Sequence, residues 1–173
     1  MGEHLHTGEW GSQGTLAYTV VMSNRLILLA YNIRSLWNVG SLFRSCDCFG
    51  VEKLILAGYT ALPPRREISK TALGAEEWIP WDQACDASRA LQQLRDDGWT
   101  IAALEQSERS ISLAEYSPKE KTCLIVGHEV LGVPEELLAL CDDVLEIPML
   151  GKKNSLNVSV AAGIALYALR NAS

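Results

Sequence analysis

The 173-residue sequence has no CxxC pair, no internal repeat and no low-complexity segment. Its longest apolar stretch, around LILLAY, falls far short of the ~20 residues a membrane-spanning helix needs, so a membrane-embedded protein is not expected. The cysteines, Cys46, Cys48, Cys85, Cys123 and Cys141, are odd in number and scattered. That pattern argues against a disulfide framework and reads as reduced, mostly buried thiols in a cytoplasm. A net charge of −6 excludes a long basic surface. Any nucleic-acid site must then be a local patch, because affinity follows the number of Lys and Arg that meet phosphates and not the net charge. GxGxxG and GxxxxGK[ST] runs are missing too, which argues against a diphosphate-binding nucleotide fold or a flavodoxin-like one. HLH near the start and CDC at 46–48 are poor metal ligand sets. Residues two apart on a helix point to different faces, and the histidines lie on a loose segment, so no metal is expected.

What remains is ordinary globular material, with 48% hydrophobic and 21% charged residues, enough for one domain that buries roughly 70% of its unfolded surface. Residues 1–24, rich in Gly and polar residues and without a period, read as a flexible arm, and residues 25–173 as the single domain. RLILLAY, KLILAG, WTIAALEQ, KTCLIVG and DVLEIPM are short apolar runs of the kind found in strands buried on both faces. Between them, NVGSLFRSCDCFG carries Leu42, Phe43 and Cys46 at helical spacing and ends at Gly50. DQACDASRALQQLRDDG is an amphipathic helix closed by Gly98, PEELLALC a short helix with Pro134 in its first turn, and NSLNVSVAAGIALYAL a last, very apolar helix. YTALPPRREISKTALGAEEWIPW is a long connection with a short helix inside it. This alternation predicts an α/β fold, a mostly parallel sheet with helices on both faces, whose ligands bind at the carboxyl ends of the strands.

The loops at those ends are YNIRSLWNVG, LEQSERS, VGHEVLG and IPMLGKKNSLN, each with glycines or small polar residues. On their own, Gly127 and Gly132 are explained by tight turns and Ser155 by a helix cap. The last helix is apolar on more than one face through Val158, Val160, Ala161, Ile164, Ala165, Tyr167 and Ala168. Internal packing or a second subunit would each account for that.

In their order and approximate spacing, Asn32, Asn38, Gly40 and Arg44, then GHEVLG, then IPMLGKKNSLNVSVAAGIAL resemble the three motifs of the SpoU or TrmH family in the SPOUT superfamily. These are RNA 2′-O-ribose methyltransferases that use S-adenosylmethionine, and the likeness runs from about Leu26 to Arg170. It implies a C-terminal trefoil knot, which no periodicity shows, together with a homodimer and a tRNA or rRNA substrate. It also implies cofactor contacts at Leu104, Gly127, Ile147, Met149, Ser155 and Leu156, made mostly by backbone. Ser155 would cap the last helix and shape the pocket, with Asn154 and Asn157 lining it or facing RNA. Arg44 matches the family's catalytic arginine. A guanidinium is essentially never deprotonated, so its expected role is to fork onto an RNA phosphate, position the ribose and stabilise developing alkoxide charge. Asn32 and Asn38 would hold that arginine and its loop, and Glu129 would orient backbone or a basic partner at the interface, with proton acceptance as the lesser alternative. His128 departs from the small polar residue usual in the family and reads as a loop histidine. Arg34, Arg65, Arg66, Lys70, Lys152 and Lys153 are the candidates for RNA contact. The alternative is a non-catalytic RNA-binding protein with the same fold.

Overall fold

The computed structural model describes residues 24–171; the proposed arm up to residue 23, and with it the HLH stretch, lies outside the described residues. The apolar runs form parallel strands: β1 (Arg25–Tyr31), β2 (Lys53–Ala57), β4 (Thr100–Leu104), β6 (Lys121–Val126) and β7 (Asp143–Glu146). Two more strands complete the sheet, β3 (Trp81–Ala84) and the two-residue β5 (Ile111–Ser112). The order is β3-β2-β1-β6-β4-β7-β5, and each neighbouring pair is parallel. β1 and β6 hold the centre, with Leu28 opposite Leu124 and Leu29 opposite Ile125, and these side chains have no solvent exposure.

Alternation along β1 sends Leu26, Leu28 and Ala30 into one core and Ile27 and Leu29 into the other. The first core is covered by α1 (Leu36–Cys48), α2 (Arg66–Ala72), α3 (Ala75–Trp78) and α6 (Val158–Asn171). The second is covered by α4 (Ala87–Asp96) and α5 (Glu135–Leu138). The expected α/β sheet with helices on both faces is therefore observed.

Several boundaries differ from the sequence reading. Asn24, assigned above to the arm, is buried, donates through Nδ2 to Leu169 O at 2.7 Å and accepts from Arg170 at both of its oxygens, so the folded unit begins at or before it. α1 starts two residues early because Ser35 accepts from Asn38 N and caps it. WDQA joins the sheet edge as β3, and Asp86 caps α4 in its place. Pro134 stands just before α5 as its cap residue. Cys46, Cys123 and Cys141 are buried free thiols, and burial pushes each one's pKa up, Cys141 to about 11. Cys48 and Cys85 are exposed.

Candidate active site

Three loops converge at the carboxyl ends of the central strands, and one carboxylate gathers two of them. Glu129 accepts hydrogen bonds from the backbone amides of Arg34 (3.0 Å) and Ser35 (2.9 Å) and from Asn38 Nδ2 (3.0 Å). The third loop joins through Asn38, whose Oδ1 accepts from Asn157 Nδ2 at 3.1 Å. Residues 91 and 119 positions apart are thus linked in one chain of side chains, Glu129 to Asn38 to Asn157. Burial pushes the Glu129 pKa up, but the donors at Ser35, Arg34, its own amide and Asn38 outweigh that and hold it below the usual carboxylate range. Glu129 is consequently ionised at neutral pH, and its oxygens hold the Arg34 and Ser35 amides and the Asn38 side chain.

Asn157 also begins α6. Its Oδ1 accepts from Ser159 N (2.9 Å), Val160 N (3.4 Å) and Ser159 Oγ (2.6 Å), and its carbonyl accepts from Ala161 N. The cap expected at Ser155 is therefore supplied by Asn157. Ser155 is exposed and two residues too early, since a capping side chain must reach the amides two or three positions on.

Beyond the end of β7 lies an open cavity of about 730 Å³. The connection after β4 (Gln106, Ser107, Glu108) and the stretch from Glu146 to Asn154 line it, including Ile147, Met149, Lys152 and Lys153. Gln106 Nε2 donates to Asn154 O at 2.9 Å and clamps the two walls together. Glu105 accepts from Val133 N at 2.9 Å and Gln106 N at 2.9 Å, tying the GHEVLG loop to the same connection. Gly127 is needed because that loop folds back on itself. A β-carbon there would lie 2.5 Å from Val133 N and inside the Gly132 carbonyl. Leu104 is half-buried at the end of β4, and Leu156 is exposed between this cavity and α6.

α1, α2 and α6 line a second cavity of about 660 Å³ that includes Ser41, Arg44, Lys70, Thr71, Ser159 and Tyr167. The Arg44 side chain is exposed and, among the described residues, makes no ion pair and no hydrogen bond. Lys70 Nζ lies 5.4 Å from the Trp37 ring. Arg34 is exposed beyond the end of β1, while Arg65 and Arg66 are exposed at the start of α2 and line neither cavity. Asn32 does not join the network. It holds φ at 54° in a turn, and its Oδ1 accepts from Tyr59 N at 3.0 Å.

Over residues 25–167 the sequence matches the SpoU rRNA Methylase family. The chain belongs to that family. Among curated relatives, the SpoU chain is 34% identical over 143 residues to a tRNA (guanosine(18)-2′-O)-methyltransferase of Aquifex aeolicus, a match that covers 82% of this chain and 67% of that protein. It is 32% identical over 146 residues to mouse tRNA (guanosine(18)-2′-O)-methyltransferase TARBP1, covering 83% of this chain but only 9% of that protein. An AdoMet-bound rRNA methyltransferase of Sinorhizobium meliloti superposes with a TM-score of 0.79 at 26% identity, over 86% of this chain and 56% of that one. The SpoU chain thus spans between about a tenth and two thirds of the length of these proteins.

Glu105, Gln106, Ser107 and Ser159 belong to the candidate site but are not singled out as individual residues by the sequence reading. The signal was available for the first three, because LEQS follows directly on a buried strand, where ligand loops lie. Ser159 sits inside the SLNVS motif of the SpoU family, and its proximity to Asn38 (3.5 Å) is visible only in the fold.

Proposed function

We propose that this SpoU chain transfers a methyl group from S-adenosylmethionine to a ribose 2′-hydroxyl of tRNA or rRNA. The observation that carries the reading is the Glu129–Asn38–Asn157 chain, which locks three loops together while leaving the Arg44 guanidinium uncommitted. The open cavity that Ile147 and Met149 line is assigned to S-adenosylmethionine, and its size, within the range of about 300–1,000 Å³ usual for small-molecule sites, supports this. When bound, S-adenosylmethionine supplies a methyl on a sulfonium, already a good leaving group. Gln106 and Glu105 keep the walls of that cavity together, Lys152 and Lys153 offer positive charge at its mouth, and Arg44 aligns the RNA phosphate and ribose. Lys70, lining the same cavity as Arg44, is a second phosphate contact, with Arg34, Arg65 and Arg66 further out.

The non-catalytic RNA-binding alternative makes a different prediction for the first cavity. Calorimetry should show that the purified protein binds S-adenosylmethionine or its demethylated product without RNA, because the walls are already joined in the free chain. No heat at millimolar ligand would leave only the RNA-binding reading.

We further infer a homodimer. Ala162, Ala165, Leu166 and Leu169 of α6 are buried in the core and Val158 and Ala168 pack partly against it, while Val160, Ile164 and Tyr167 are 51%, 41% and 60% exposed. Internal packing therefore leaves the second apolar face uncovered, and a self-complementary contact would bury it. Arg44 lines the cavity on this face and not the one assigned to the cofactor, which supports a site completed across the interface. Sedimentation at micromolar protein should show a dimer, and Ile164→Asp should yield a folded, inactive monomer; a fully active monomer would put Arg44 to work within its own chain. The trefoil knot belongs to the same reading. It is supported by β7 lying between β4 and β5, by the Gln106 bond to Asn154 beyond β7, and by the return of α6 onto α1 at Asn38. The buried free thiols fit a reducing cytoplasm.

A further inference from the structure

At the end of β2 the chain makes a feature that the proposed chemistry leaves unused. Tyr59 is 59% exposed although its backbone is fixed from three sides. Its amide donates to Asn32 Oδ1 at 3.0 Å. Gly58 before it adopts φ 64°, and a side chain there would collide with that same asparagine oxygen. Thr60 after it is buried, its single hydroxyl proton within reach of Ala57 O (2.8 Å) and Ala30 O (3.0 Å), while its Oγ1 accepts from Ile33 N. An aromatic ring on so rigid a pedestal, left in solvent, is preorganised for something outside the chain.

A second ring stands beside it. The imidazole of His128 meets the Tyr59 ring edge-to-face, with centroids 6.4 Å apart and planes at 83°. His128 Nδ1 accepts from Val130 N at 2.9 Å and Leu131 N at 3.1 Å, which fixes the ring and places its proton on Nε2 in the neutral form. Val130 and Leu131, the tip of the same loop, are 76% and 80% exposed. Arg34, whose amide is held by Glu129 next to His128, leaves its guanidinium without an ion pair among the described residues.

We propose that Tyr59, held by Asn32 and braced by His128, is a stacking platform for an unpaired base of the RNA substrate, with Arg34 on the flanking phosphate. The proposal rests on the RNA-methyltransferase reading, because the occupant follows from the continuity of this surface with the Glu129–Asn38–Asn157 network. Chemistry on a ribose requires its nucleotide to be accessible, and a displaced base finds replacement stacking on an exposed aromatic ring. Asn32 then has a role distinct from catalysis: it is a positioning residue for Tyr59.

The test measures binding of unmodified tRNA transcripts, and separately of rRNA fragments, by fluorescence anisotropy across a salt series. Tyr59→Ala should weaken RNA binding about tenfold, in the range found for a lost base–aromatic stack. The dependence of affinity on salt should stay as in the wild type, because no phosphate contact is removed. Tyr59→Phe should bind like the wild type, Arg34→Ala should lower the salt slope, and affinity for S-adenosylmethionine should be unchanged in all three. Wild-type affinity in Tyr59→Ala would overturn the platform and leave this face to a protein partner. Equal losses in Tyr59→Ala and Tyr59→Phe would overturn it as well, by assigning the contact to the hydroxyl. Failure of the wild-type protein to bind either RNA would instead remove the functional reading beneath it.

Discussion

Gly127→Ala should abolish measurable S-adenosylmethionine binding and lower the melting temperature, while Gly151→Ala, on the wall of the cavity assigned to the cofactor, should do neither. The contrast follows from space. A β-carbon at Gly151 has nothing within 4 Å, whereas at Gly127 it runs into backbone of Gly132 and Val133, which cannot turn away as a side chain could. The two limbs of the loop are joined by His128 N to Gly132 O (3.1 Å) and Gly132 N to His128 O (2.9 Å). Relief of the clash must therefore stretch these bonds or pull Val133 from Glu105. Overpacking of this kind costs about 1–3 kcal/mol, and each kcal/mol lowers the midpoint by about 2–4 °C in a chain of this size. Glu129 lies two residues from the clash, so its hold on Arg34 and Ser35 shifts too, and misplacement by about 1 Å can cost on the order of 10²-fold in rate. Thermal melts and calorimetry on the two variants check this. Normal ligand affinity in the Gly127→Ala variant would show that the loop opens without harm to the cofactor site and that Gly127 is not required for it.

The sequence carries the central strands plainly because each is a continuous apolar run, and a strand buried on both faces has no other reading once its neighbours alternate with helices. The edges were harder. Trp81–Ala84 is half polar and little buried, so its residues look like the approach to α4, and Ile111–Ser112 is too short to show any period. The motif residues of the site are legible by type, yet their partnerships are not. NSLN offers three capping side chains, and only the geometry selects Asn157, because its position is the one from which Oδ1 reaches two helix amides and Nδ2 still reaches Asn38. Asn32 is legible as a motif residue, but its partner is not: it holds a positive φ, and its Oδ1 accepts from Tyr59 N, 27 residues away. Glu105 and Gln106 read as generic loop polarity, since their partners at Val133 and Asn154 lie 28 and 48 residues away. Long-range hydrogen bonds of this kind leave no local pattern.

Arg44→Ala should slow single-turnover methylation by about 10²–10³-fold at saturating RNA and S-adenosylmethionine, the usual cost of removing one preorganised donor to transition-state charge. Its effect on stability should be negligible, because the side chain is exposed and unpaired among the described residues. Cofactor affinity should also hold, since Arg44 lines the cavity of α1, α2 and α6 and not the one beside Met149. Arg44→Lys should recover little, because an ammonium keeps the charge but loses the planar two-pronged grip on phosphate. A near-normal single-turnover rate with weaker RNA affinity alone would make Arg44 a phosphate anchor and move the catalytic assignment toward Asn157. Mixed dimers then decide which cavity Arg44 serves. Inactive Arg44→Ala chains combined with inactive Gly127→Ala chains regain activity if each arginine acts on the partner's cavity, because one of the two sites in a mixed dimer has both parts intact. If Arg44 acts within its own chain, both sites of the mixed dimer lack one part, and activity stays at the level of the separate variants.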